Sequence, residues 1–211
     1  MSKRFVNINV SDNILIGDYV NKKISITDEN NKSLQFQIPR MYMPFGVTGF
    51  VPPHGPVKWN IDMSMKGCSE EDSYVRKFYD FVRSIEDRVI DNVWENRQTI
   101  FGSDLSRDHI KGMFNSNIKE SATSGYDPRM RFKADTHIDG SFKFKVYDRD
   151  SQERTENATD GLFAKMSGVA IVELNSVYFM NHRFGMVWRI TQLQVIEPQR
   201  VRGLQIDMTN I

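Results

Sequence analysis

Basic and apolar side chains alternate in Arg129-Met130-Arg131-Phe132-Lys133 and again in Phe142-Lys143-Phe144-Lys145-Val146-Tyr147. Because successive side chains of a β-strand point to opposite faces, each segment predicts a strand with one apolar face and one basic face. The Asp139-Gly140 pair between the segments is a strong turn signal. We therefore expect the two strands to form a β-hairpin in which the basic faces match and the apolar faces match.

The basic face of this hairpin predicts contact with a polyanion. Like charges opposite each other on neighbouring strands destabilise a sheet, and bound phosphates would neutralise them. The alternative is an outer face that is basic and simply solvated. On the first interpretation the phosphate contacts are Arg129, Arg131, Lys133, Lys143 and Lys145. Tyr147 shares the face of Lys143 and Lys145, so its ring is a candidate for stacking on a base.

Composition predicts one soluble domain spanning residues 1–211. The 211 residues are 39% hydrophobic and carry a formal net charge of +1, so any affinity for nucleic acid must come from local clustering of cations. Cys68 is the only cysteine, which excludes an intramolecular disulfide and suits a reducing compartment. The chain contains no long apolar run and no secretory signal, so we expect an intracellular protein without a membrane partner.

The remaining patterns predict many short strands and one long helix. Strands are expected near residues 4–10, 22–27, 33–38 and 57–63, with an irregular Gly/Pro-rich loop at residues 46–56 and an N-terminal β-hairpin. Two long strands are expected at residues 168–180 and 185–197, after a short helix at residues 104–114 and a mobile polar loop at residues 148–160. The absence of a regular βαβ alternation favours a small antiparallel barrel or sandwich.

The long helix is predicted at about residues 70–97, with Ser69 as its N-cap. Its apolar side chains recur at steps of three and four, as expected for packing on a sheet. They are Tyr74, Phe78, Phe81, Ile85, Val89 and Val93. The opposite face is net negative and is predicted to be solvated, which makes the helix a poor surface for phosphate.

Sequence motifs of catalysis are missing. There is no P-loop, dinucleotide fingerprint or HExxH pair. Gly46-Val47-Thr48-Gly49 is followed by Pro52-Pro53 and not by a helix. Cys68 near a helix N-terminus, and His137 with Asp139, are each too few groups for a nucleophile or a metal site. We therefore predict no enzyme activity, no metal and no cofactor.

Aromatic and basic residues also occur close together elsewhere, with Arg40 before Tyr42 and Phe45, and Trp188 before Arg189. Two further pairs are Lys58-Trp59 and Arg183-Phe184, the second in a predicted tight turn. Proteins that bind single strands combine cations along the backbone with rings that stack on bases. These two pairs are therefore secondary candidates for the site, with burial in the core as the alternative for each ring.

Residues 57–197 resemble the single-stranded DNA-binding proteins of the short-tailed T-odd coliphages, in the divergent branch found in large eukaryotic DNA viruses. The resemblance lies in three segments that occur in the same order, with the helix in the expected place. The segments are Gly55-Pro56-Val57-Lys58-Trp59-Asn60-Ile61-Asp62-Met63, Gly140-Ser141-Phe142-Lys143-Phe144-Lys145-Val146-Tyr147, and the last strand pair with Gly168-Val169-Ala170-Ile171-Val172-Glu173-Leu174 and Leu193-Gln194-Val195-Ile196-Glu197.

This resemblance implies an OB-fold barrel with a long helix inserted between strands. It also implies sequence-independent binding of single-stranded DNA in viral replication, recombination and repair inside the infected host cell. Homodimers and contacts with viral replication proteins are implied as well. The acidic C-terminal tail of those relatives has no counterpart in residues 200–211, so we do not carry over the roles that depend on the tail. Two other classes stay open: a structural β-sandwich virion protein with a solvated basic face, and a nucleic-acid-processing enzyme.

Overall fold

The computed structural model describes residues 3–123 and 125–198. The strands are β1 Lys3–Arg4, β2 Leu15–Val20, β3 Lys23–Thr27, β4 Leu34–Gln37, β5 Met41–Met43, β6 Val47–Phe50, β7 Lys58–Ser64, β8 Ile118–Lys119, β9 Arg129–Lys133, β10 Lys145–Tyr147, β11 Glu153–Arg154, β12 Met166–Met180 and β13 Arg183–Ile196. The helices are α1 Val10–Asn13, α2 Tyr74–Glu95, α3 Arg97–Phe101 and α4 Arg107–Met113, with a 3-10 turn at Phe5–Asn7.

Five of these strands close into a barrel. Antiparallel pairs join β5 to β7, β7 to β9, β13 to β12 and β12 to β5, and a parallel pair joins β9 to β13. If β5, β7, β9, β12 and β13 are numbered 1 to 5 in chain order, they lie around the barrel in the order 1-2-3-5-4. Strand 4 then pairs with strand 1 and closes the barrel. This arrangement confirms the predicted class: a mainly β, OB-fold-like barrel with one long helix inserted between its second and third strands.

The predicted hairpin between residues 129–133 and 142–147 is wrong. The local turn forms, since Gly140 N–H donates to the His137 carbonyl oxygen at 3.1 Å. Beyond an isolated bridge between Thr136 and Phe142, however, the two strands separate. Strand β13 lies between β9 and β10 and runs parallel to both. Closing the barrel through β13 buries more apolar surface than a two-stranded ribbon, which is only marginally stable.

The N-terminal segment lacks the first expected strand and contains a strand, β2, that the sequence does not predict. Strands β2 and β3 pair antiparallel, and β3 and β4 both extend the sheet along β12. Residues 5–13 form a 3-10 turn and the short helix α1 in place of a strand. Asn9 caps α1, and its side chain accepts a hydrogen bond from the Ser11 N–H at 2.9 Å.

Helix α2 begins at Tyr74 with Ser73 as its N-cap, so Ser69 is not the cap that the sequence suggested. The predicted apolar stripe is buried from Phe78 to Val93, whereas Tyr74 is exposed. The stripe packs on the sheet through edge-to-face contacts such as Phe81 with Phe36 of β4, whose ring centroids lie 5.2 Å apart. Glu86, predicted to be solvated, is only 3% exposed.

The other predicted elements agree in outline. Strands β12 and β13 match the two long strands, and α4 matches the short helix. The Gly/Pro-rich loop contains strand β6, which pairs with β7 in register from Val47↔Ile61 to Phe50↔Lys58. Strand β11 interrupts the polar segment at residues 148–160. Among the described residues, no helix is both long and apolar enough to cross a bilayer.

Candidate nucleic-acid interface

The outer face of β7 and β9 carries a row of cations. Ile61, Met63, Met130 and Phe132 are fully buried, so their neighbours along each strand point out of the barrel. In register, Asn60 lies opposite Lys133, Asp62 opposite Arg131, and Ser64 opposite Arg129. The alternation predicted from the sequence of residues 129–133 is thus correct, although the neighbouring strand is β7.

A groove of about 520 Å³, called here the basic groove, runs over this face. Four of its lining residues are cations: Lys58, Lys119, Arg131 and Lys133. None of the residues that line it is acidic, within the part of the chain that the structure describes. The remaining lining residues are Phe50, Asn60, Asn115, Ser116, Asn117, Tyr178, Met180, Met186, Val187 and Trp188.

Two of the groove cations already hold carboxylates from just outside the lining. Asp62 is 4% exposed and accepts two bonds from Arg131, at 2.7 Å from Nε and 2.9 Å from Nη2. Lys133 Nζ lies 2.8 Å from Asp135. The two hydrogen bonds to Asp62 fix the orientation of the Arg131 guanidinium and leave its outer edge toward the groove.

Lys119 is partly buried in the wall of the groove. Burial, and then repulsion from Arg131, lower the pKa of its amine. Its Nζ donates to the Asn115 side-chain oxygen at 2.8 Å. An anion bound beside Lys119 would reverse this shift, because a nearby negative charge favours the protonated amine.

The wall of the groove at residues 115–117 is held by Glu86 of helix α2. The Glu86 carboxylate accepts from Ser116 Oγ at 2.6 Å and from Arg83 Nη1 at 2.9 Å. Burial raises the pKa of the Glu86 carboxyl, against the lowering effect of these hydrogen bonds. The acidic helix therefore takes part in the site indirectly, by fixing the loop that carries Asn115, Ser116 and Asn117.

Two rings border the groove. Phe50, which lies opposite Lys58 in the β6–β7 pair, is 57% exposed. Tyr178, near the end of β12, is half-buried, and its hydroxyl accepts from Asn115 Nδ2 at 3.1 Å. Two buried atoms of lining residues, Trp188 Nε1 and Asn117 Oδ1, have no hydrogen-bond partner among the described residues.

Lys58 and Trp59, which were predicted to act together, point to opposite faces of β7 because successive side chains of a strand alternate. Lys58 lines the groove, whereas Trp59 points to the other face of the strand and is half-buried. Its indole covers Gly49 so closely that a Cβ added to Gly49 would lie 2.7 Å from Trp59 Cζ3. In this position the Trp59 ring packs against β6.

Lys143, Lys145 and Tyr147 lie away from the basic groove. Lys143 is exposed in the turn before β10, and Lys145 Nζ is paired with Glu153 at 2.8 Å. Lys145 and Tyr147 each line one of two polar clefts beside β13 that share Gln192 and Ile171. The structure therefore does not bring these three residues together with Arg129, Arg131 and Lys133, and their part in binding stays a prediction.

Arg183 and Phe184 begin strand β13 beside the tight turn at Asn181 and His182. Arg183 is exposed and lines a small cleft with Tyr19 and Phe101. The expectation that Phe184 is exposed is wrong, since it is fully buried and stacks on Phe179 with ring centroids 5.5 Å apart. The β12–β13 hairpin buries this ring because its two strands keep pairing up to the turn.

A second depression, called here the ring pocket, lies at the other end of the β7–β9 face and has a volume of about 720 Å³. Arg129 connects the ring pocket to the basic groove. It lines the ring pocket, and it is two residues along β9 from Arg131, which lines the groove. The lining residues are Tyr42, Pro44, Phe45, Ser64, Lys66, Ser121, Thr123, Tyr126, Asp127 and Arg129. The sequence does not single out Tyr126 or Lys119, because no short-range spacing links them to the cations of β9. Of the rings around this pocket it indicates only Tyr42 and Phe45, which follow Arg40.

The single cysteine and the histidines show no arrangement that would support catalysis. Burial, with smaller effects from Asp127 and Glu120, raises the pKa of the Cys68 thiol, which opposes its use as a nucleophile. Among residues 3–123 and 125–198, no three His, Cys, Asp or Glu side chains are grouped as metal ligands would be.

A family model matches residues 68–205, which is more than half of the chain. Its description is Family of unknown function (DUF5871). The chain belongs to this family. A comparison with curated protein sequences finds no match.

Solved structures of two phage proteins are similar to this chain. One is gp2.5, a single-stranded DNA-binding protein encoded by bacteriophage T7, with a TM-score of 0.49 and 9% identity over 85% of this chain and 98% of that one. The other is the single-stranded DNA-binding protein of bacteriophage Enc34 in complex with ssDNA, with a TM-score of 0.43 and 8% identity over 90% of this chain and 98% of that one. The assignment of the OB-fold rests on the strand order of this chain itself.

Proposed function

We propose that this protein binds single-stranded DNA, without regard to base sequence and without catalysis, through the basic groove. The observation that carries the proposal is the position of the groove on the barrel. In OB-folds, oligonucleotides bind on the face of strands 2 and 3, between the loop that joins strands 1 and 2 and the loop that joins strands 4 and 5. Here that face is β7 and β9, and it carries Lys58, Arg131 and Lys133.

The chemistry of the lining fits a single strand. Cations spaced along β9 would contact successive phosphates, and the exposed ring of Phe50 offers a π-face that any base can use. Asn60, Asn115 and Asn117 add neutral donors and acceptors, which bind phosphate or base edges without adding repulsion. Because stacking needs unpaired bases, the same site should bind a duplex more weakly.

Titration of single- and double-stranded oligonucleotides across a salt series tests this proposal. For about five cations, namely the four in the groove and Arg129, the slope of log K against log salt should be roughly −3 to −4. Equal affinity for the duplex, or affinity independent of salt, would contradict it. A structural virion subunit would instead assemble without DNA, and a processing enzyme would turn the DNA over.

Single substitutions locate the site within the same titration. Lys58→Ala and Lys119→Ala should each weaken binding and make the salt slope shallower by about 0.7. Lys32→Ala is the matched control, because Lys32 is an exposed lysine outside the groove. Lys145→Ala tests the contact predicted from the sequence, and a loss of affinity as large as that of Lys58→Ala would extend the path of the strand to β10.

The biological setting is proposed on the resemblance of the sequence alone. It comprises replication, recombination and repair of viral DNA in an infected host cell, a homodimeric state, and contacts with viral replication proteins. The region of the acidic tail in the phage relatives corresponds to residues 200–211 of this chain, which lie outside the described residues.

A further inference from the structure

The ring pocket collects most of the exposed aromatic surface on this side of the barrel. Tyr126 is 73% exposed, Phe45 49% and Tyr42 43%. Isolated apolar side chains on a surface are common, but three rings around one depression are unusual and indicate a binding site. Tyr42 and Phe45 are three residues apart in the chain, and the fold brings the distant Tyr126 to them.

We propose that the ring pocket takes one unstacked nucleobase of the strand whose phosphates lie in the basic groove. This inference rests on the proposed function. It assigns a base-binding subsite to residues outside the groove, and it commits to a nucleobase as the occupant.

The two sites are continuous across the sheet. Tyr42 of β5, Ser64 of β7 and Arg129 of β9 are cross-strand neighbours, as the register pairs Tyr42↔Ser64 and Ser64↔Arg129 show. The next outward position along β9 is Arg131, which lines the groove. A strand that reaches Arg131 therefore reaches the edge of the ring pocket in one further step.

The spacing of the cations suits successive phosphates of one strand. Outward side chains on one strand are two residues apart, or about 7 Å. One sugar unit joins adjacent phosphates and is long enough to span this distance. Successive phosphates can therefore lie on Arg131 and Arg129, which brings the neighbouring base to the edge of the ring pocket.

The pocket, whose charged lining residues are Lys66, Arg129 and Asp127, offers hydrogen-bonding groups for a base. The Arg129 guanidinium lies 5.0 Å from the Phe45 ring centroid, so one face of this ring is already covered by a cation. Asp127 can only accept hydrogen bonds when ionised, so it would repel a phosphate and attract the N–H groups of a base. The hydroxyls of Ser64, Ser121 and Thr123 both donate and accept, which allows any base to bind.

The test compares two strands of equal length, about 16 nucleotides, the upper end of the site size of one OB-fold. One is oligothymidylate, and the other has the same sugar-phosphate backbone with every base removed. Tyr126→Ala should weaken binding of oligothymidylate on the order of 10-fold, as expected for the loss of one stacked base, and leave binding of the abasic strand unchanged. Tyr126→Phe should retain the wild-type affinity for both.

Controls separate the pocket from the groove and from the fold. Lys119→Ala should weaken both strands by the same factor, because it removes a phosphate contact. Tyr74→Ala removes an equally exposed tyrosine outside the pocket and should change neither. Tyr42→Ala should repeat the Tyr126→Ala result at a second position.

Three results would overturn the inference. If Tyr126→Ala and Tyr42→Ala leave oligothymidylate binding intact, the pocket is a surface for another class of partner, such as a protein. If they weaken binding of both strands equally, the rings only support the structure of the groove. If the wild-type protein binds both strands equally well, it binds phosphates but not bases; if it binds neither strand, the proposed function itself fails.

Discussion

At the scale of single residues, Asp62 is a buried acidic side chain that pairs with a cation of the proposed site. Its carboxylate is buried beneath Arg131, which binds it through two hydrogen bonds. The hydrogen bonds with Asp62 raise the pKa of the Arg131 guanidinium, which keeps this charge present at any working pH. Asp62 therefore orients a cation and at the same time neutralises part of the charge that a phosphate would feel.

Replacing Asp62 by Asn should separate these two effects. Asp62→Asn should strengthen binding of single-stranded DNA several-fold, because the charge of Arg131 that faces the phosphate is no longer partly neutralised. It should also lower the free energy of unfolding by about 1–3 kcal/mol, toward the low end because half of Arg131 is already in water. Oligonucleotide titration and denaturant unfolding measure the two quantities.

Asp91→Asn is the control for this prediction. Asp91 also accepts a hydrogen bond from an arginine, Arg107 Nε at 2.6 Å, but it lies on helix α2 and does not line the groove. Its replacement should leave DNA affinity unchanged. If Asp62→Asn weakens binding instead, the orientation of Arg131 matters more than its free charge.

A second prediction follows from the alternation of Lys58 and Trp59 on β7. Lys58→Ala should weaken DNA binding and leave stability within about 0.5 kcal/mol, as is usual for an exposed side chain. Trp59→Ala should destabilise the fold by about 2–4 kcal/mol, because the ring packs on Gly49, and should change affinity little. The same titration and unfolding experiments apply, and a Trp59→Ala variant that folds normally but loses DNA binding would place the ring in the site.

At the scale of elements, helix α2 stabilises the wall of the groove through Glu86. A carboxyl whose folded-state pKa is raised binds a proton more tightly in the folded protein than in the unfolded chain. Its contribution to stability is therefore fully present below the ordinary pKa of 4.5 and is lost as the pH rises through the folded-state value. Desolvation of the charged form is the cause, and it outweighs the bonds from Ser116 and Arg83.

Glu86→Gln should remove this pH-dependent contribution. The change in unfolding free energy of the wild-type protein between about pH 7 and about pH 4.5 should contain a gain on acidification that the variant lacks. Denaturant unfolding at several pH values measures the difference. Glu95→Gln, at the exposed end of the same helix, should follow the wild-type curve; parallel curves for wild type and Glu86→Gln would show that Glu86 titrates normally.

At the scale of the whole molecule, the barrel closes through a short strand. Strand β5 has only three residues. Two backbone hydrogen bonds to residues 162–165 hold the chain where it leaves this strand. Val47 N–H donates to the Leu162 carbonyl oxygen at 2.7 Å, and Lys165 N–H donates to the Met43 carbonyl oxygen at 2.9 Å. Gly46 lies between these bonds with a φ of +63°, and a Cβ there would overlap the backbone of Leu162 and Ala164.

Gly46→Ala should therefore destabilise the whole barrel, by roughly 2–5 kcal/mol, through left-handed strain and this overlap. Gly112→Ala provides the contrast, since Gly112 lies inside helix α4 and its added Cβ would meet open space. That change should raise the free energy of unfolding by about 0.5–1 kcal/mol, because alanine loses less backbone entropy on folding. Denaturant midpoints of the two variants should move in opposite directions.

The sequence by itself determined which side of each element faces the core. The period of two in residues 129–133 placed Arg129, Arg131 and Lys133 outside and Met130 and Phe132 inside. The steps of three and four in α2 likewise identified the buried stripe. These features depend only on local geometry and on the burial of apolar side chains, so they can be predicted without knowing which elements become neighbours.

Only the tertiary structure decided which strands pair and which charges meet. The alternating pattern is the same whether β9 lies beside β10 or beside β7 and β13, and the Asp139-Gly140 turn favoured the wrong choice. Closing the barrel requires contacts between residues far apart in the chain, such as Arg189 of β13 with Lys133 of β9. For the same reason the Asp62–Arg131 pair, the buried Glu86 and the position of Tyr126 beside Tyr42 and Phe45 leave no local signal: each arises from packing that joins distant segments.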